Sequence, residues 1–409
     1  MRVSTALVER PSPAIGLSAT QRLLCACARP ADDTAVRDLI ASQSWEFVDW
    51  PSLPMLLVRH GLQALAAVHL SAVRDRMPES IWLEIHTGAM AARAAALALS
   101  AELFRILEQC AEAGVDVLPY KGPLLGWEAY RDLGARPSVD LDLLIRPTDL
   151  EATAVVLDRL GYRPDYHFSP AAARWFRRVD GDYPFEQRDT AGLVELHVRA
   201  MSRRFGPNPT TAELLARRRI VMVSGRRLAL PGTDDVFYLQ VVHGGKHRWE
   251  RLEWIAATAQ LLRARGGDVS VLHHGRYPNS RAVLLGCRLA RDLLGAPLDA
   301  ETTARIAADR AVARLADDAV RHLFDDARPT DDGPDDTAAK LWFNYRLQPG
   351  PVARMRFFYR WVCWPSPEDW ERIRFPDAMF FLYRLTRPCR LFWRYARRIP
   401  HHESRAPHA

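Results

Sequence analysis

Two aspartates one residue apart, Asp140 and Asp142, interrupt the otherwise apolar run SVDLDLLI. In a β-strand alternate side chains share a face, so both carboxylates point the same way, roughly 7 Å apart at the backbone. Val139, Leu141, Leu143 and Ile145 then point the other way, into a core. Two acids on a buried strand are costly unless something neutralises them, and a divalent cation does that well. An edge strand with one wet face also fits a bare Asp-x-Asp.

The flanking sequence adds groups with complementary chemistry. Val115 to Tyr120 reads as a short apolar strand, followed by Lys121-Gly122 and a helix from Pro123 to about Asp132. Proline suits a first helical turn, and a strand, a glycine turn and a helix N-terminus make an anion cradle. Arg136 precedes Pro137, so it is extended and leads into the acidic strand. Further on, LVELHVRA alternates, with Val194, Leu196 and Val198 on one face and Glu195, His197 and Arg199 on the other. Asp140, Asp142 and Glu195 thus offer three carboxylates for two Mg²⁺, with Mn²⁺ as an alternative. Lys121, Gly122 and Arg136 stand ready for phosphate oxygens. That set meets the needs of nucleotidyl transfer, in which two metals activate the attacking hydroxyl and steady the leaving pyrophosphate. His197 reads as an orienter of the acidic strand rather than a base.

The runs KGPLLGWEAYRDLGARPSVDLDLLI, VELHVRA and HGGKHRWERLEWI, in that order, resemble the uncharacterised nucleotidyltransferase family of the DNA polymerase β-like superfamily. The resemblance spans about residues 18–395. It implies Asp140 and Asp142 as metal ligands and Glu195 as the third carboxylate. It implies Lys121, Gly122 and Arg136 at the triphosphate. Lys246 and Arg251, with His243 beside them, would reach the nucleotide or acceptor. Relatives accompany peptide natural-product or polysaccharide gene sets, which points to such an acceptor. Two departures stand out. Relatives usually carry Gly-Ser where this chain has Lys-Gly, and an Asp where this chain has Ala257. These motivate a binding module with impaired turnover as one rival reading. A glycosyltransferase using Asp-x-Asp is another, although the region before Val115 lacks the nucleotide-binding strands such folds place first.

The elements that must position these residues follow from pattern. The expected class is α+β, a small mixed sheet flanked by helices. Residues 1–114 read as a helical region, with Ser18 capping its first helix and a long Ala/Leu-rich helix from Ile81 to Ala113. Residues 115–232 read as the α/β core. Thr148-Asp149-Leu150-Glu151 has the form of a capping box, and RRIVMVSG and RRLALP form a hairpin-like pair. Residues 233–350 read as a second helical region, opened by a cap at Thr233 or Asp234. One continuous helix there carries His243, Lys246, His247, Glu250 and Arg251 as a polar stripe. Gly244-Gly245 inside it implies a close backbone approach. Zinc at His243 and His247 is disfavoured because no third ligand is in register. Asp326 to Asp336 reads as a linker.

The chain has 409 residues and a net charge of +7. From Pro351 onward there are 12 Arg against 5 Asp and Glu. The electrostatic argument therefore belongs to this tail, residues 351–409, which mixes Arg with aromatics. Packing on the core fits it. So does docking to an anionic membrane surface or a protein partner, with nucleic acid less favoured. The stretch to Trp370 reads as structural. Arg384, Arg387, Arg390, Arg394 and Arg397 read as one basic helix stripe forming an interaction surface. Only Lys121, Lys246 and Lys340 are lysines, which suggests positions wanting a compact charge. Six scattered cysteines and the absence of a long apolar run or signal segment point to a cytoplasmic protein with free thiols.

Overall fold

The computed structural model describes residues 16–30, 33–41, 43–187, 192–273, 277, 280–325 and 334–396. Residues 326–333 of the expected linker and Arg397 lie outside the described residues. The expected α+β class holds.

Five strands form one mixed sheet: β1 (Val117–Pro119), β2 (Asp140–Ile145), β3 (Tyr162–Pro164), β4 (Asp182–Gln187) and β5 (Leu193–His197). Their order is β1-β2-β5-β4-β3. Only β2 and β5 run parallel. A separate hairpin pairs β6 (Arg219–Val223) with β7 (Arg226–Leu230), as expected. A helix, Pro170–Val179, precedes β4 in the stretch from Tyr162 to Arg199, whose pattern reads as strands and loops; Ser169 caps it and Pro170 opens it.

The sheet divides two cores. Leu141, Leu143, Ile145, Val194, Leu196, Tyr183 and Phe185 turn to one side and pack with the long helix Glu79–Glu112 through Leu103 and Ile106. Leu118 and Leu144 belong to the other side's core. That core joins the N-terminal helices to those after residue 233.

Several local expectations change. Val139 is 76% exposed and lies outside the strand, because the ladder starts only at Asp140. The Asp149 side chain makes no cap hydrogen bond, since Thr148 Oγ1 donates to it instead. Gly232 occupies the cap expected at Thr233 or Asp234.

The expected long helix is two: Thr233–Lys246 and Leu252–Ala264. Arg248 and Trp249 between them have φ of 58° and 56°, a left-handed conformation that breaks the helix. The physical reason is the buried Trp249 indole. It folds back on the first helix, and a Cβ at Gly244 would lie 2.5 Å from Trp249 Cζ3. A Cβ at Gly245 would meet Leu347 Cδ2 at 3.0 Å. The glycine pair therefore serves packing, and Glu250 and Arg251 leave the polar stripe.

The tail folds onto the protein. Asp369, buried at the helix Pro367–Arg372, accepts from Arg387 Nη1 at 2.6 Å and Arg390 Nε at 2.7 Å. Arg394 donates to Glu368 at 2.9 Å, and Arg384 lies over the Trp175 ring. The expected basic stripe is thus mostly ion-paired inward, because the acids of 368–369 face it. Buried Trp370 agrees with the structural reading of the first part. Among the described residues no helix is long and apolar enough to cross a membrane.

Candidate active site

The β2–β5 register builds the site. Asp142 stands directly opposite Glu195 in the parallel ladder, and Asp182 of β4 stands opposite His197. With Asp140 two residues before Asp142, one sheet face carries four carboxylates and an imidazole. The other face of the same strands is apolar, which fixes the register, because a slip of one residue would turn the acids into that apolar core.

The glycine turn closes over this face. Gly122 has φ 58°, and a Cβ there would lie 3.1 Å from the Asp140 carbonyl oxygen, so the turn against the strand needs glycine. The helix Gly122–Tyr130 then begins beside Asp140. Lys121, at its N-cap, reaches Asp142 Oδ1 at 2.8 Å. His197 Nε2 lies 2.8 Å from the same oxygen and 3.2 Å from Glu195 Oε2.

The charges are tightly interdependent. Burial opposes ionisation of Asp142, yet Lys121 and His197 hold its carboxyl well below the usual range. Burial also disfavours a charged His197, but Asp142 and Glu195 carry it up to about 9. Contact with His197 holds Glu195 below its ordinary value. Asp140 behaves oppositely: burial, then repulsion from Asp142 and Glu195, pushes it up to about 6. Ligand atoms of Asp142, Glu195 and His197 lie within 4.8 Å of one another, a group able to hold a metal ion. Crowded carboxylates that repel one another are what a cation would relieve.

Residues 46–295 match the family described as uncharacterised nucleotidyltransferase. The chain belongs to that family. No curated protein and no solved structure matches it. As an uncharacterised nucleotidyltransferase family member, it pairs a nucleotidyltransferase assignment with a carboxylate and histidine cluster able to bind metal.

The other expected residues are distributed unevenly. Lys246 comes into the site's field: burial and Lys121 lower its pKa, while Asp182 and Glu195 oppose that. His243 and His247 sit with ring centroids 4.7 Å apart, and Trp254 packs on both. Burial and nearby cations keep both well below the ordinary histidine value. No third donor joins them among the described residues. Arg251 is exposed at the start of the second helix and makes no contact with the carboxylates among the described residues.

Arg136 forms a two-armed ion pair with buried Glu253, with Nη2 to Oε1 at 3.1 Å. Its Nη1 donates to the Gly122 carbonyl and to Ser138 Oγ, both at 3.3 Å. It therefore clamps the glycine turn to the helix Leu252–Ala264. Sequence reasoning missed Glu253 and Asp182. Glu253 was visible as the lone acid of RLEWI, but its partner lies 117 residues away. Asp182 needed the β4 register. Ala257 is fully buried in the helical core.

Proposed function

We propose that the chain transfers a nucleoside monophosphate from an NTP to a hydroxyl or phosphate of an acceptor and releases pyrophosphate. The observation that carries this is the facing pair Asp142 and Glu195, with Asp140 on the same face and the Lys121-Gly122 turn above it. Asp140, Asp142 and Glu195 would hold divalent metal, Mg²⁺ by preference, with His197 within reach. When bound, the metal neutralises charge on the attacking and leaving oxygens.

The chain's own residues do the rest. Lys121 gives up Asp142 and takes a phosphate oxygen, its compact ammonium fitting beside the turn. Backbone N–H groups at the start of the helix Gly122–Tyr130 point at the same anion. Arg136, braced by Glu253, holds the turn in place. Lys246 adds positive charge from the helical half. The acceptor oxygen bonds to the α-phosphorus as the bond to the bridging oxygen breaks. The electron pair leaves with pyrophosphate, and the acceptor's proton passes to a carboxylate of the same face.

The test is incubation with each labelled NTP and Mg²⁺ or Mn²⁺ in extracts of candidate acceptors. Pyrophosphate and added nucleotide mass on an acceptor are expected, and both should vanish in Asp142→Asn. Release of a nucleoside diphosphate would favour the glycosyltransferase. Tight NTP binding without turnover would favour the binding module.

A further inference from the structure

A cavity of about 870 Å³ opens just past the end of β5. Its walls come from the helix Pro170–Val179, from the chain following β5, and from the helix Pro351–Cys363. Arg178, Arg199, Arg203, Arg356, Arg360 and Arg384 line it, and among the described residues no Asp or Glu does.

Several arginines close to this cavity in the chain are neutralised by acids. Next to these six, Arg177 pairs with Glu151, Arg204 with Asp180, Arg387 with Asp369 and Arg394 with Glu368. Among the described residues none of the six makes such a pair. Arg384 lies 5.0 Å above the Trp175 ring, and Arg360 lies 5.4 Å above Trp364. Arg360 also donates to the Arg203 carbonyl at 3.1 Å. Burial first, then Arg356 and Arg203, lower the pKa of Arg360. Arg178, Arg203, Arg356 and Arg384 are exposed around the half-buried Arg199 and Arg360, and a ligand bringing negative charge would relieve the repulsion among them.

The shape and position narrow that ligand. The volume is that of a pocket for a metabolite-sized molecule. Guanidinium forks match phosphate oxygens bidentately. One phosphate monoester carries about two negative charges, so six arginines suit more than one phosphate. Arg199 follows His197 by two residues, so the cavity opens from the chain that leaves the C-terminal end of the strand carrying Glu195. It shares no residue with the Lys121-Gly122 turn, the seat proposed for the NTP phosphates.

We propose that this cavity holds a multiply phosphorylated small molecule, the acceptor of the transferred nucleotide. Calling it the acceptor rests on the nucleotidyl-transfer reading; polyphosphate binding does not.

Calorimetric titration of the full chain with inorganic pyrophosphate, in EDTA at low salt, tests this. Wild type should show a pyrophosphate site tighter than for inorganic phosphate and weakened by added salt, and Lys121→Ala should retain that site. Arg203→Gln with Arg356→Gln should lose at least about tenfold in affinity. Both side chains are exposed, so the fold should survive. Pyrophosphate should raise the thermal midpoint of wild type but not of the double variant. No binding to wild type, unchanged affinity in the double variant, or a loss confined to Lys121→Ala would each overturn the proposal. Pyrophosphate binding without turnover of any NTP would overturn the proposed reaction alone and leave the anion site standing.

Discussion

Asp140 and Asp142 lie two residues apart on one strand face, yet their surroundings are opposite. Asp142 is neutralised by Lys121 and His197, whereas Asp140 faces the repulsion of Asp142 and Glu195. Removing each carboxylate should therefore abolish transfer but move stability in opposite directions. Asp142→Ala leaves two half-compensated cations and should cost about 3 kcal/mol. Asp140→Asn relieves repulsion and should leave the metal-free protein as stable or more so. Urea unfolding in EDTA measures both. Equal losses would show that the two carboxylates do not differ, and full activity of Asp140→Asn would sink the two-metal reading.

Arg136 and Glu253 join the glycine turn to the second helical half across 117 residues. Both side chains are nearly buried. Glu253→Ala leaves the guanidinium unpaired and should destabilise by about 3 kcal/mol. Arg136→Lys keeps the charge but loses the two-armed geometry. It should raise the KM for NTP with a smaller fall in kcat, because the turn shifts rather than the carboxylates. Steady-state kinetics with the responsive NTP measures the split; an unchanged KM would show that the clamp does not position the turn.

Lys121 is half-buried, contacts Asp142 at 2.8 Å and stands over the Tyr120 ring. Its compact ammonium sits where Gly122 already touches the strand backbone. Lys121→Ala should weaken NTP binding about tenfold or more, and Lys121→Arg should rescue poorly, since a planar guanidinium does not fit the same space. Binding titrations with a non-hydrolysable NTP check this. Full rescue by arginine would make the lysine incidental.

What was legible in the sequence was what local pattern controls. Alternation marked Asp140 and Asp142, and Glu195 with His197, because a strand with one apolar face must keep its register. Gly122 was readable because a turn into a helix at Pro123 needs a special backbone. What was hidden came from contacts distant in the chain. The helix at residues 247–251 looks continuous by periodicity, but burial of Trp249 over Gly244 overrides it. Arg136 reads as a phosphate ligand until Glu253 arrives from another element. Arg387, Arg390 and Arg394 read as part of a surface stripe because Glu368 and Asp369, which neutralise them, lie on a different helix.

That last pairing gives a pH-dependent prediction. Asp369 and Arg387 are both buried, and Asp369 also accepts from the Ser366 backbone N–H and from Arg390. Burial works against the Asp369 charge, but Arg387, the Ser366 N–H and Arg390 hold its carboxyl below the ordinary value. A carboxylate depressed on folding stabilises fully above its unfolded pKa, about 3.9, and loses that contribution as pH falls through its lower folded value. Asp369→Asn should therefore lower the thermal midpoint at pH 7. The gap from wild type should hold down to about pH 4 and shrink below it. Truncation after Leu382 should also destabilise the protein. It removes Arg387 and buried Tyr383, whose hydroxyl donates to the Ile373 carbonyl at 2.7 Å and accepts from the Phe375 N–H. Thermal melts of wild type, Asp369→Asn and the truncation from pH 7 to pH 3 decide the matter. A gap that widens in acid would reverse the assigned sign. A truncation melting with wild type would return the arginine-rich end to the role of a free docking surface.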